Sequence, residues 1–235
     1  MLACVVLVAG CAEGSEEPEP SSLSSTTQRT PRSTSSTTPP PSVIVGSGSV
    51  ASETRQVGGF TALALDLPAS VDVVIGDAPA VTLRADDNLL GAITTDVVDG
   101  ELTIRSTTPF STESEIAVEV VTPSLDRVEV RGSGSVQATG VSGPSFDVSV
   151  RGSGSVKGSG SVESLDVTSA GSGTVELFEL DAEEADVNVN GSGDVEVSVS
   201  RSLRAKVTGS GTVVYDGDPS EVVTDVDGSG SIPPR

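Results

Sequence analysis

The tripeptide Gly-Ser-Gly starts at Gly132, Gly152, Gly171, Gly191, Gly209 and Gly228, at intervals of 20, 19, 20, 18 and 19 residues. An earlier copy starts at Gly46. In all seven, the second residue after the motif is β-branched and apolar: Val50, Val136, Val156, Val175, Val195, Val213 and Ile232. A flexible linker keeps no such register. A period of about 19 residues, with a fixed glycine corner and a fixed valine, predicts the stacked rungs of a β-solenoid.

The segments around each motif alternate with period two, as strands do. In Val128-Glu-Val-Arg-Gly-Ser-Gly-Ser-Val136, the valines fall on one face and Glu129 and Arg131 on the other. The phase recurs in Val148–Val156 and Val187–Val195, and weakens where Ser169 replaces an inward valine. If the strand runs straight, Gly132 and Gly134, Gly152 and Gly154, Gly171 and Gly173, Gly191 and Gly193, Gly209 and Gly211, and Gly228 and Gly230 face inward. If the glycines take positive φ, the motif is a corner and the parity resets. A corner or bulge with the flanking valines inside is the favoured reading. Stacking at ~4.8 Å per rung makes this array about 25–30 Å long. Pro233 and Pro234 lack the N–H that recruits another strand, so they blunt the last edge.

Between Thr54 and Thr122 the pattern is looser. Alternation appears in Phe60–Leu67, Val71–Val73, Ala80–Leu83, Leu102–Ile104 and Ile116–Val120, with turn signals at Gly76-Asp77, Asp99-Gly100 and Pro123. Only Asp87–Ile93 could form a helical turn, so residues 43–235 read as one all-β domain. Aromatic residues are 2% of the chain, which a narrow solenoid filled with Val, Leu and Ile tolerates.

An ordered set of residues carries a resemblance. It comprises Gly46-Ser-Gly, Arg55-x-Val-x-x-Phe60, Asp87-Asn-Leu-Leu90, Asp99-Gly-x-Leu-x-Ile104 and the serial Gly-Ser-Gly rungs. Over residues 43–235 the chain resembles the head GIN domain of putative auto-transporter adhesins. The resemblance implies a right-handed parallel β-helix on a secreted or lipid-anchored bacterial protein. It supplies no catalytic residue.

The N-terminus reads as an address. Leu2–Ala9 is almost wholly apolar and runs into Gly10-Cys11, then into Glu and Ser. This resembles a bacterial lipobox, which implies cleavage before Cys11 and a diacylglycerol on its thiol. The alternative is a buried N-terminal strand that ends in Gly-Cys. No basic residue precedes Cys11, and the apolar run is too short to span a bilayer, so the true start is expected upstream. Residues 1–11 are thus the signal segment. Residues 12–42, rich in Ser, Thr and Pro, are an expected disordered linker. A disulfide between Cys4 and Cys11 would staple nothing in the domain.

Chemistry is constrained by what is missing. The chain has no histidine, which removes His-based triads and His-ligated metals. Lys157 and Lys206 lie in no Ser-x-x-Lys arrangement, and Gly152-Ser-Gly-Ser-Val-Lys157 lacks the features of a phosphate loop. Residues 43–235 carry 30 acidic and 11 basic residues, which repels nucleic acid and keeps the surface soluble.

Glu176, Glu179, Asp181, Glu183, Glu184 and Asp186 form an acidic stretch. It reads as a solvated turn with Lys157, Arg201 and Arg204 as counter-charges from adjacent rungs. Paired carboxylates of a glycosidase, or a Ca²⁺ site at Glu183, Glu184 and Asp186, are the functional alternatives.

Together these features point to a non-catalytic, cofactor-free envelope protein. It is held at the cell membrane by a lipid on Cys11 and faces outward. Its β-helix meets a surface protein or glycan, not nucleic acid. The alternatives are a secreted carbohydrate-active enzyme on a β-helix and a purely structural envelope spacer.

Overall fold

A computed structural model describes residues 43–235. The expected signal segment, Cys4, Cys11 and the linker lie outside the described residues. Sixteen strands follow one another. The first nine are β1 (Ile44–Val45), β2 (Val50–Gln56), β3 (Ala62–Asp66), β4 (Ser70–Ile75), β5 (Ala80–Asp86), β6 (Ile93–Val98), β7 (Glu101–Ser106), β8 (Phe110–Ser111) and β9 (Ala117–Thr122). Then come β10 (Arg127–Gly132), β11 (Ser135–Gly152), β12 (Ser155–Gly171), β13 (Thr174–Gly191), β14 (Asp194–Gly209), β15 (Thr212–Asp216) and β16 (Glu221–Gly228).

From β10 onward every pairing is parallel, and each turn of the chain lies on the last. Gly132, Gly152, Gly171, Gly191, Gly209 and Gly228 are successive partners across the rungs. The domain is an all-β parallel β-solenoid.

The corner explains the motif. Gly152 has φ 128°, and a Cβ there would lie 2.5 Å from the Gly132 carbonyl oxygen. That oxygen accepts a hydrogen bond from the Ser153 amide at 2.9 Å. The ladder therefore continues through the bend, and a side chain at the first glycine would collide with it. The second glycine, Gly154, is buried against Gly134 O and Val130 Cγ1, which a Cβ would meet at 2.6 and 2.5 Å. The inward phase runs through the corner unbroken: Val130, Gly134 and Val136 are all buried, as are Val150, Gly154 and Val156, so the corner forms without the reset of parity that positive φ suggested. Val136, Val156, Val175, Val195 and Val213 are all 2% exposed or less.

The spacing of 18 to 20 residues is absorbed elsewhere. Register shifts fall at Thr139/Val141, Lys157/Ser159, Leu177/Asp181 and Ala182/Glu184, all on the side of the coil opposite Gly-Ser-Gly. A further Gly-Ser-Gly, Gly158–Gly160, sits on that side and pairs with Thr139, Val141, Glu179 and Leu180 rather than with the glycine corner. Gly158 makes room there for Leu177, whose Cδ2 a Cβ would meet at 2.7 Å.

The first copy is a correction. Gly46–Gly48 forms no rung, and Val50 is 46% exposed at the start of β2, which runs antiparallel to β5. A side chain at Gly46 would overlap the carboxylate of Asp86, so this glycine serves a local contact.

The N-terminal third is also more mixed than a plain β-helix. The pairs β2–β5, β5–β9 and β6–β7 are antiparallel. The β6–β7 hairpin turns on Asp99 and Gly100, both at positive φ (51° and 81°), the geometry a two-residue hairpin requires. Chain order is not spatial order. β3 lies between β7 and β10, and β4 lies between β9 and β11. The rung made of β7 and β9 therefore stacks before β3 and β4, although it follows them in sequence.

The two ends differ. At the N-terminal end the Asp87–Ala92 turn lays Leu89, 0% exposed, over the core, and Arg55 ties it down by donating to the carbonyls of Leu90 and Ile93, both at 2.7 Å. At the C-terminal end every residue of β16 is exposed.

Candidate functional site

The inner faces are filled by apolar side chains, so any site of the solenoid lies on its outer rows. One row crosses β10 to β14 and contains Arg127, Asp147, Asp166, Asp186 and Arg204 in register. Arg127 holds Asp147 at 3.0 Å, and Arg204 lies 3.6 Å from Asp186, which also accepts from Asn188 at 2.8 Å. Asp166, between them, has no ion-pair partner among the described residues. Partial burial pushes its carboxyl above the ordinary value, and the carboxylates of Asp186 and Asp147 push the same way.

The neighbouring row holds the one strongly buried charge of the rungs. Glu129 is 7% exposed and is clamped by Arg131, at 2.6 and 2.9 Å, and by Arg151 of the next rung. Three charge-assisted hydrogen bonds from two arginines offset its desolvation. Ser149, its register partner, is buried with its hydroxyl unpartnered. The clamp joins two rungs and leaves no acidic oxygen open for acid–base work.

The acidic stretch is neutralised as its spacing suggests. Lys157 lies 4.0 Å from Glu176 and 3.7 Å from Glu179. Arg201 reaches Glu183 at 3.2 Å and Glu184 at 2.8 Å. Glu183 and Glu184 thus share Arg201, while Asp186 faces Arg204. No group of three His, Cys, Asp or Glu among the described residues could hold a metal ion. Beside them, next to the start of β16, is a recess of about 200 Å³ lined by Ser164, Glu184, Asp186, Ser202, Arg204 and Glu221.

A buried carboxylate stands at the N-terminal end. Asp86 is 1% exposed and accepts from Ser114 and Thr112, both at 2.7 Å. The Ser114 bond, then the Thr112 bond, hold its carboxyl below the ordinary value. All its partners are local hydroxyls and backbone, so it fastens the loop after β8.

Neither sequence-level reading of chemistry gains a constellation. Lys157 is engaged by glutamates, and Lys206 by Asp225 at 2.5 Å, which raises the Lys206 pKa. Among the described residues no helix is long and apolar enough to cross a membrane.

Residues 59–219 match the family described as "Putative auto-transporter adhesin, head GIN domain". The chain belongs to that family. It is similar in fold to a crystal structure of a putative adhesin from Bacteroides fragilis, at 20% identity and TM-score 0.66, over 82% of this chain and 100% of that one. A putative lipid binding protein from Parabacteroides distasonis matches at 21% identity and TM-score 0.54, over 83% and 100%. A putative adhesin from the same organism matches at 19% and 0.51, over 83% and 100%. No curated protein matches the chain. Within this head GIN family the domain is a non-catalytic adhesion or interaction module.

Sequence reasoning missed two features. The Glu129–Arg131–Arg151 clamp was encoded in the rung register, which places Arg151 beside Arg131. The exposed edge of β16 was hidden by its Val-rich alternation, which reads like that of an interior rung.

Proposed function

We propose that the chain is an envelope protein anchored by a lipid on Cys11, with residues 12–42 linking the anchor to the domain. Its head GIN β-solenoid then serves as an adhesion or interaction module facing away from the cytoplasm. The family match over residues 59–219 carries the reading. The relatives described as adhesins support the adhesive role, and the lipobox-like Val8-Ala9-Gly10-Cys11 supports the anchor. The coil is right-handed in this reading, as the family implies. The partner is a surface protein or glycan; a wall this acidic disfavours nucleic acid.

One relative is described as lipid binding. Here the interior is packed with Val, Leu and Phe146 at 0% exposure, and the polar recess beside Glu184 suits no acyl chain.

The anchor is tested by fractionating cells that express the chain from its upstream start. Wild type is expected in the membrane fraction and Cys11→Ala in the soluble fraction. Equal membrane retention of the two would end the lipoprotein reading.

A further inference from the structure

We propose that β16 is a docking edge that accepts one extended polypeptide strand bearing basic side chains. The inference rests on the interaction-module reading and names where on the module the partner binds.

The first observation is an asymmetry of closure. The N-terminal end is covered by the Asp87–Ala92 turn and by antiparallel strands, whereas nothing among the described residues covers β16. Val222 and Val226 stand in register with Leu203 and Val207, which are 1% and 0% exposed. Val222 and Val226 are 41% and 43% exposed. They occupy core positions of the coil, and no rung among the described residues lies above them. A strand edge in this state offers unpaired backbone groups together with half of a hydrophobic interior.

The second observation limits what can be added. On the opposite wall Ser231–Arg235 lies against β15, where Thr212 pairs with Ser231 and Tyr215 with Pro234. Pro233 faces β15, where its carbonyl accepts from the Tyr215 amide, and Pro234, which faces the open side, has no N–H to offer a further strand. The eight residues of β16 contain no proline. Only one wall is open, and it accepts a strand rather than a full rung.

The third observation is charge. Glu221, Val223, Asp225 and Asp227 face outward on β16, between the inward Val222, Thr224 and Val226. Lys206 neutralises Asp225 alone. A second copy of this edge would bring the same carboxylates together, and like charges across strands repel. A segment with apolar residues at alternate positions and Lys or Arg between them matches both faces of the edge. In the recess at the start of β16 Glu184 and Asp186 are already held by Arg201 and Arg204, and Glu221, in no ion pair among the described residues, meets the first of those basic side chains.

The test uses the full chain and two synthetic peptides of the length of β16, one alternating lysine with valine and one alternating glutamate with valine. Binding is read by fluorescence anisotropy, and the contact is located by amide hydrogen exchange. The lysine peptide is expected to bind roughly tenfold tighter or more, to weaken with salt, and to protect residues 221–228. The double variant Glu221→Lys, Asp227→Lys breaks no ion pair and should invert the preference.

Equal affinity for both peptides, or protection elsewhere, overturns the proposal. So does protection of β16 by concentration-dependent self-association, which would make a second copy the occupant. A pull-down from envelope extract separates the two readings. A specific partner held equally by the double variant removes the edge but keeps the interaction module. No specific partner, with no peptide selectivity, removes both.

Discussion

Val150 Cγ1 fills the space in which a side chain on Gly173 would begin, 2.6 Å from the position of a Cβ. Val130 stands in the same way over Gly154, and Val189 over Gly211. The inner valine before one corner thus packs into the notch left by the second glycine of the next. Motif and hydrophobic register are one device.

Gly173→Ala should therefore be costly. Its Cβ would strike both Val150 Cγ1 and the Gly154 carbonyl, and the backbone ladder cannot give way. We expect a loss of about 3 kcal/mol in urea unfolding. Gly58→Ala, with open space around it, should change stability by under about 0.5 kcal/mol. Equal effects of the two would mean that the corner tolerates a side chain.

Val195→Asp should melt the rungs on either side. Val195 is 0% exposed and lies between Val175 and Val213. An unpaired carboxylate there costs about 3 kcal/mol or more, and neighbouring rungs depend on one another. Circular dichroism should show a lower melting temperature. An unchanged one would reverse the assignment of inside and outside.

Ser169 marks the opposite opportunity. It is 1% exposed, its hydroxyl has no partner, and its register neighbours Val150 and Val189 show that the slot accepts valine. Ser169→Val removes an unsatisfied hydroxyl and puts a methyl where Ser169 Oγ now sits over Gly193, as valine does over Gly173. A gain of about 1–2 kcal/mol is expected. A loss would show that the site is too tight for a branched side chain.

Much of this was legible because a solenoid repeats its instructions. Val156 and Val195 read as inward from their phase alone, because that phase runs through the glycine corner unbroken. Lys157, Arg201 and Arg204 read as counter-charges because one rung of spacing puts them beside the acidic stretch. The N-terminal third gave no such cue. Period-two alternation in Ala80–Leu83 or Leu102–Ile104 says which face is buried but not which strand is the neighbour, or whether it is antiparallel. Nor does a motif alone distinguish Gly46–Gly48 and Gly158–Gly160 from the corner copies; only pairing does.

Asp166 gives a pH signature. Its carboxyl is raised in the folded state, by burial and by Asp186 and Asp147, so the folded protein binds a proton more readily than the unfolded chain. The resulting penalty is absent below the unfolded pKa of about 3.9 and grows as pH rises through the folded value. Asp166→Asn should therefore raise the melting temperature slightly at pH 7 and leave it unchanged in acid. The residue faces solvent, so the gain is small and shrinks with salt. A larger gain in acid would contradict the sign.

Arg201 decides how the acidic stretch responds to cations. It neutralises Glu183 and Glu184 at 3.2 and 2.8 Å, while Arg204 attends Asp186 at 3.6 Å. A Ca²⁺ ion would have to displace these side chains, and no three carboxylates converge to reward it. Thermal melts of the wild type in millimolar Ca²⁺ and in chelator at matched ionic strength should coincide. Arg201→Ala leaves the two glutamates facing each other without a counter-charge, and the loss should be below about 1 kcal/mol, because the pair is exposed. NaCl should recover that loss as well as Ca²⁺ does at equal ionic strength, since screening requires no site. A rise of several degrees specific to Ca²⁺ in the wild type would establish a metal site at Glu183, Glu184 and Asp186 and overturn the reading of a solvated turn.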